Sequence, residues 1–157
     1  PIAQFPTGVM RGRFHQQDGQ LYACGMFAWA GNQTQPGGMY RLRYTGQPVH
    51  LPVELKARKH GVELTFTDPV DAESAIALAN YKVKTWTLKR TRNYGSKHYD
   101  EKASTVTSIK VSEDGRKVFI TIPDLKPTWC MEIKYSLKGA NGRSFEGTIH
   151  NTIHNLN

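Results

Sequence analysis

The sequence is poor in cysteine. Its 157 residues include only Cys24 and Cys130. Two cysteines are too few for a disulfide-rich scaffold, and neither belongs to a CxxC, CxxCH or zinc-ligand spacing. The pair could form one disulfide in an oxidising compartment, or remain as two small, separate side chains. Of these alternatives we expect free thiols.

Long apolar runs are also missing. No stretch of about 18 apolar residues exists, so the sequence predicts no membrane span, and no secretory signal peptide is visible. The chain begins with Pro1 rather than Met, which predicts a fragment of a longer chain or a processed product. With 38% hydrophobic and 22% charged residues, the composition is that of a globular protein.

No catalytic signature stands out. The sequence has no G-x-S-x-G, P-loop or dinucleotide-binding pattern, and neither cysteine has the context of a catalytic nucleophile. Acidic pairs such as Asp68/Asp71 and Asp100/Glu101 lie in predicted turns, where capping explains them. Two distant carboxylates could still converge as in a glycosidase, but the sequence favours a protein that is not an enzyme.

The histidines give no metal site. His150 and His154 are four residues apart, and a strand would separate them by about 13 Å at roughly 3.3 Å per residue. That distance is too long for one ion. The other four histidines have no companion at ligand spacing, so we expect neither a metal nor a cofactor.

The net charge of +8 favours acidic partners, namely nucleic acid, anionic polysaccharide or a negatively charged domain, although solubility alone also explains it. Residues 1–48 hold four arginines, no lysine and one aspartate, and the other 17 basic residues lie in 49–157. No nucleic-acid reader motif is present, so we expect no nucleic-acid partner.

Period-two alternation dominates the second half of the chain and predicts an all-β fold. It is clearest over 62–67, 118–122 and 129–137. The last of these runs places Cys130 on its polar side. The apolar positions of these strands and of the strand over 82–89 predict a core made of Val62, Leu64, Phe66, Val83, Val118, Ile120, Trp129, Met131, Ile133 and Tyr135.

Turn residues separate the predicted strands. Asp-Gly pairs within 17–20 and 113–116 and the Asn-Gly pair at 141–142 predict three hairpins. A capping aspartate and several alanines predict a short helix over 71–78. In the strand over 82–89, the apolar positions change parity before Trp86, which predicts a β-bulge.

Two prolines, Pro48 and Pro52, mark a boundary between two parts of different composition. Residues 1–47 are Gly-rich and aromatic, and we expect two or three strands there. Residues 49–157 are Lys-rich and alternate regularly, and we expect a sandwich of seven or eight strands.

The second part resembles bacterial Ig-like domains. The residues that carry the resemblance are Phe66, Pro69 and Asp71, followed by Asn80 and Tyr81, with supporting segments at 112–118 and 137–142. The resemblance implies an Ig-like or fibronectin-III-like antiparallel β-sandwich, with residues 1–47 as an N-terminal β-hairpin extension.

A narrower resemblance rests on segments 19–25, 41–49, 93–96 and 148–154. They are similar to the C-terminal part of large exported bacterial proteins that join a sorbosone- or glucose-dehydrogenase-like β-propeller to an Ig-like module, often with a cytochrome c domain. The resemblance implies a periplasmic or extracellular setting, and residues 1–47 would be the last propeller blade or a linker. It brings no catalytic residue to this segment.

Two groups of residues are candidates for binding. The first alternates aromatic and cationic side chains, which can stack on sugar rings and hold carboxylate or sulfate groups; it consists of Trp86, Arg90, Arg92, Tyr94, His98 and Tyr99. The second is a docking patch of Phe27, Trp29 and Tyr40 around a Gly-rich loop. The simpler alternatives are packing of these aromatics within the fold and solvation of the cations.

These observations lead to two hypotheses of function. The first is a non-catalytic accessory or docking module that packs against neighbouring domains, the propeller and the cytochrome c, of a larger exported dehydrogenase-like protein. The alternative is a carbohydrate-binding module for acidic or sulfated glycans that uses the first candidate group.

Overall fold

The computed structural model describes residues 4–27 and 34–157, which form parts of two compact units, Pro1–Gln47 and Pro48–Asn157. The first unit is a three-stranded antiparallel sheet in the order β1-β2-β3. Its strands are β1 (Val9–Phe14), β2 (Leu21–Met26) and β3 (Gly37–Leu42). Asp18 accepts a hydrogen bond from the Gln20 amide in the β1–β2 turn, and Gly19 has φ +65°, so the first predicted hairpin is confirmed.

The second unit is a sandwich of two four-stranded antiparallel sheets, which confirms the all-β sandwich prediction. The first sheet has the order β11-β10-β6-β7, and the second has the order β4-β5-β9-β8. The strands are β4 (Pro52–Arg58), β5 (Gly61–Phe66), β6 (Tyr81–Thr87), β7 (Tyr99–Ser104), β8 (Ser108–Val111), β9 (Lys117–Thr121), β10 (Thr128–Lys138) and β11 (Ser144–Ile153). The other two predicted hairpins are the β8–β9 and β10–β11 turns, where Gly115 and Gly142 take positive φ.

The predicted helix is present but shorter than expected. Helix α1 (Ala72–Ile76) is capped at its N-terminus by Asp71, whose carboxylate accepts a hydrogen bond from the Ser74 amide at 2.8 Å. Ala77 is extended, with ψ 109°, and ends the helix; one 3-10 turn over Leu78–Asn80 follows. The Tyr81 hydroxyl donates to the Ala75 carbonyl at 2.9 Å and ties this segment to the core.

The core lies between the two sheets and contains nine of the ten residues predicted for it, from Val62 to Tyr135. The prediction was wrong for Trp129, whose side chain is 66% exposed. The reason is a bulge at the start of β10, where the register with β11 shifts between Thr128 and Met131. A bulge breaks the period-two alternation, and the residues before it therefore no longer follow the parity of those after it.

Neither cysteine forms a disulfide in the structure. Cys24 is exposed on β2 and Cys130 is half-buried on β10, and both are free. Among the described residues, no helix is long and apolar enough to cross a membrane.

Candidate functional site

The first sheet carries a charged aromatic cluster on the side that faces away from the core. Directly paired residues of antiparallel strands share a face, and Glu132 pairs with Lys84 on one side and with His150 on the other. Trp86 lies two residues after Lys84 and therefore on the same outer face. We call this set the outer-face cluster; its members are Lys84, Trp86, His98, Glu101, Glu132 and His150.

Trp86 is buried although it lies on the outer face, with 7% of its surface exposed. The His98 ring stacks on it, with 4.2 Å between centroids and 18° between planes. His150 approaches its edge at 6.1 Å and 77°. Lys84 Nζ lies 5.4 Å from the centroid of the same ring. The indole face that we predicted for a ligand is therefore occupied by protein side chains.

Glu101 connects His98 and Lys84. Its Oε2 accepts from His98 Nδ1 at 2.6 Å and from Lys84 Nζ at 3.2 Å. These hydrogen bonds hold the pKa of the Glu101 carboxyl below its ordinary value, and the bond from His98 has the larger effect. Glu101 therefore remains ionised in this arrangement.

Glu132 lies deeper in the cluster, with 12% of its side chain exposed. Its carboxylate is 3.5 Å from Lys134 Nζ, 3.8 Å from Lys84 Nζ and 3.7 Å from His150 Nε2. Lys84 thus lies between two carboxylates. Within residues 4–27 and 34–157, no group of three or more His, Cys, Asp or Glu side chains could hold a metal ion.

A bulge between β6 and β7 aims Glu101 at the cluster. The register of the two strands shifts between the Thr85–Lys102 and Thr87–Tyr99 pairs, and the extra residue lies in β7. The bulge predicted in β6 was wrong, because β6 keeps its register with β10 as far as Trp86, which simply lies on the outer face. Asp100 has φ +53° in this bulge, and its carboxylate accepts from the Thr87 hydroxyl at 2.9 Å. Aspartate tolerates the left-handed region better than most residues because its short side chain bonds locally.

The loop over residues 88–98 presents three of the predicted ligand-binding residues to solvent. Arg90, Arg92 and Tyr94 are exposed, and the Tyr94 ring is fully so. Tyr99 is half-buried, with Lys89 Nζ 4.5 Å from its ring centroid. The structure therefore stacks His98 on Trp86 and leaves the two arginines free for contacts with other molecules.

The three-stranded sheet has two chemically different faces. Phe14, Leu21 and Leu42 form one cross-strand row, and the neighbouring row pairs Ala23 with Tyr40. We call this the apolar face, and Phe14 is its most exposed member at 73%.

The opposite side, the arginine face, holds the row Arg13–Tyr22–Arg41. Next to it lies the row Arg11–Cys24–Met39. The Tyr22 hydroxyl donates to Asp18 at 3.0 Å, and Asp18 is the single acidic residue of the sequence from 1 to 48.

The predicted docking patch is described only in part. Phe27 is 59% exposed. Tyr40 is half-buried against Phe5, with 4.8 Å between ring centroids, and its hydroxyl donates to Gln35 at 3.3 Å. Trp29 lies outside the described residues. The apolar face around Phe14 and Leu42 was missed, because only the strand register shows that these residues lie side by side.

No protein family model matches the chain, and no curated protein matches it. Two solved structures are similar: domains 1–6 of the surface layer protein SbsC, at 25% identity, and a crystal structure of the S-layer protein rSbsC, at 26%. Each similarity has a TM-score of 0.48 and covers 64% of this chain. The chain spans 13% of the length of each of these proteins, and at this TM-score the similarity carries no conclusion about function.

Proposed function

We propose that this chain is a non-catalytic accessory module that docks on a neighbouring domain of a larger exported, dehydrogenase-like protein. The apolar face of the three-stranded sheet is the observation that carries the proposal. A sheet buries its apolar face against another layer. Within residues 4–27 and 34–47, no second sheet or helix forms that layer. Phe5 covers the face at Tyr40, whereas Phe14 is 73% exposed, so the Phe14 end of the face is the part left for a partner.

The exposed side chains give this face its driving force. Phe14 is 73% exposed, and burying such a side chain at an interface contributes about 1.5–3 kcal/mol to the binding free energy. Phe27, which directly follows β2, is a second exposed aromatic residue of the same unit. Each blade of a β-propeller is a sheet of four antiparallel strands in sequence order. The β1-β2-β3 sheet has the same arrangement with three strands. A propeller domain that precedes this segment is the occupant that we propose, in agreement with the sequence resemblance.

A binding measurement with matched variants tests the proposal. The polypeptide encoded directly before residue 1 is produced separately, and its dissociation constant for the 157-residue chain is measured by calorimetry. We expect a complex that Phe14→Ser weakens about tenfold or more, which corresponds to about 1.4 kcal/mol. Val53→Ser is the control, because Val53 is 62% exposed on β4 of the sandwich. Absence of a complex, or equal weakening by both variants, would contradict docking through this face.

The second candidate function is binding of an acidic or sulfated glycan. It is supported by the exposure of Arg90, Arg92 and Tyr94 on one loop. Guanidinium groups bind carboxylate and sulfate in a bidentate manner, and an exposed aromatic ring offers a flat apolar surface. A double variant, Arg90→Ala/Arg92→Ala, should weaken binding to heparin or polygalacturonate and reduce its salt dependence. If the chain binds neither polymer, this function is wrong.

A further inference from the structure

Trp129 is the large exposed aromatic residue that the β10 bulge turns away from the core. Thr128 pairs with Ile153 and Met131 pairs with Asn151, so Trp129 and Cys130 together oppose Thr152. The Thr152 hydroxyl donates to the Trp129 carbonyl at 2.7 Å, and the Thr128 hydroxyl donates to the Cys130 carbonyl at 3.2 Å. The strand geometry, rather than a mobile loop, therefore fixes the exposed position of the indole.

The indole forms one wall of a shallow groove of about 190 Å³. The other lining residues include both apolar and polar side chains: Pro127, Thr128, Thr152, Ile153 and His154. Pockets for drug-sized ligands span roughly 300–1,000 Å³. A groove of this size fits a single ring of a larger molecule.

The groove lies at the same end of the first sheet as the 88–98 loop. Trp86 pairs with Cys130, and Thr87 pairs with Tyr99, so the end of β6 and the start of β7 lie beside the start of β10. Arg90 and Arg92 belong to the loop that connects β6 and β7. The exposed Lys126 comes just before the groove. Cationic residues therefore lie at the same end of the first sheet as the exposed indole.

We propose that the Trp129 indole is the platform on which a pyranose ring of an acidic polysaccharide stacks. A pyranose has an apolar C–H face and a polar rim, and the groove is lined by the indole of Trp129 together with two threonines and a histidine. Arg90, Arg92 and Lys126 then supply the charges for the carboxylate or sulfate groups of the polymer. This inference rests on the second candidate function and names its aromatic contact, which is Trp129 rather than the buried Trp86.

Affinity electrophoresis of the full chain tests the platform. The probes are polygalacturonate, heparin and neutral dextran at low and physiological salt, with polyglutamate as an acidic polypeptide. We expect binding to the two acidic polysaccharides that Trp129→Ala weakens about tenfold. Trp129→Phe should retain much of the binding, because a ring remains. The exposed Val53 lies in the other sheet, so Val53→Ala should leave binding unchanged. Far-UV circular dichroism checks that each variant is folded.

The other possible outcomes distinguish a failure of the Trp129 contact from a failure of glycan binding as a whole. Binding to acidic polysaccharides that Trp129→Ala leaves intact overturns the platform and keeps the glycan function. Absence of binding to every polysaccharide overturns both. Equal affinity for dextran overturns the acidic specificity, and a Trp129-dependent preference for polyglutamate identifies an acidic protein segment instead of a glycan.

Discussion

The imidazole of His98 lies nearly parallel to the indole of Trp86, with 4.2 Å between ring centroids. Trp86 belongs to β6, and His98 ends the loop that carries Arg90 and Arg92. The stack therefore holds the base of this loop against the outer face of the first sheet. The bond between His98 and Glu101 fixes the orientation of the imidazole.

Trp86→Ala should destabilise the protein by about 3 kcal/mol, because truncation of a buried tryptophan leaves a cavity. His98→Ala should cost less, since His98 is about half exposed. Leu88→Ala is the control: Leu88 is 46% exposed on the same loop, and its loss should change stability by no more than about 0.5 kcal/mol. Urea unfolding measures all three. If Trp86→Ala and Leu88→Ala have equal effects, the stack does not stabilise the loop.

Acid should remove the stabilisation that the ionised Glu101 carboxylate gives to the folded state. Its pKa is lowered in the folded state, chiefly by the hydrogen bond from His98 and then by that from Lys84. The unfolded chain therefore binds the proton more tightly. The stabilisation is complete above the ordinary pKa of 4.5 and disappears as the pH falls through the lowered folded value.

A pH series of unfolding measurements with Glu101→Gln checks this prediction. The wild type should be more stable than the variant at neutral pH, and the two stabilities should converge in acid. A difference that is constant from neutral pH to pH 2 would contradict the role of the Glu101 charge.

The positive φ of Asp100 predicts a clear order of substitutions. Asp100→Asn should be tolerated, since asparagine adopts the left-handed region and can accept the Thr87 hydrogen bond. Asp100→Val should destabilise by about 1–3 kcal/mol, because a β-branched residue is strained there and the bond is lost. Thermal unfolding distinguishes the two. Equal stability of both variants would show that the bulge relaxes.

Gly139 makes room for a buried histidine. A Cβ at Gly139 would meet the ring of His50, which is 4% exposed and stacks on Phe145 at 4.9 Å. Gly139→Ala should therefore cost about 1–3 kcal/mol through overpacking. Combined with His50→Ala, the same change should cost much less, and a double-mutant cycle measures this coupling. Additive effects would show that the ring does not confine Gly139.

Local patterns were sufficient for most of the fold. The Asp-Gly and Asn-Gly pairs placed the hairpins, and alternation placed the inward side of β5, β9 and most of β10. Both signals act over a few residues, so they survive without knowledge of tertiary contacts. Trp129 was missed because a bulge shifts parity at one position, and nothing in the alternation marks that position.

The candidate sites were less predictable, because they depend on contacts between residues that are far apart in the sequence. The aromatic and cationic residues of 86–99 were visible in the sequence, but alternation cannot show that a loop folds over Trp86. The cluster also includes Glu132 and His150, which come from β10 and β11 and are 46 and 64 residues away from Trp86 along the chain. Only the strand register brings such residues together.

Thiol labelling within the larger protein tests the central claim, that the apolar face docks on a neighbouring domain. Phe14→Cys places a thiol on the apolar face, and the natural Cys24 lies exposed on the arginine face as an internal control. Labelling rates of both sites are measured by mass spectrometry in the 157-residue chain alone and in the longer polypeptide. The account predicts that Cys24 reacts at similar rates in both, whereas the thiol at position 14 is protected about tenfold or more in the longer polypeptide. Equal reactivity at position 14 in the two contexts would contradict docking through this face.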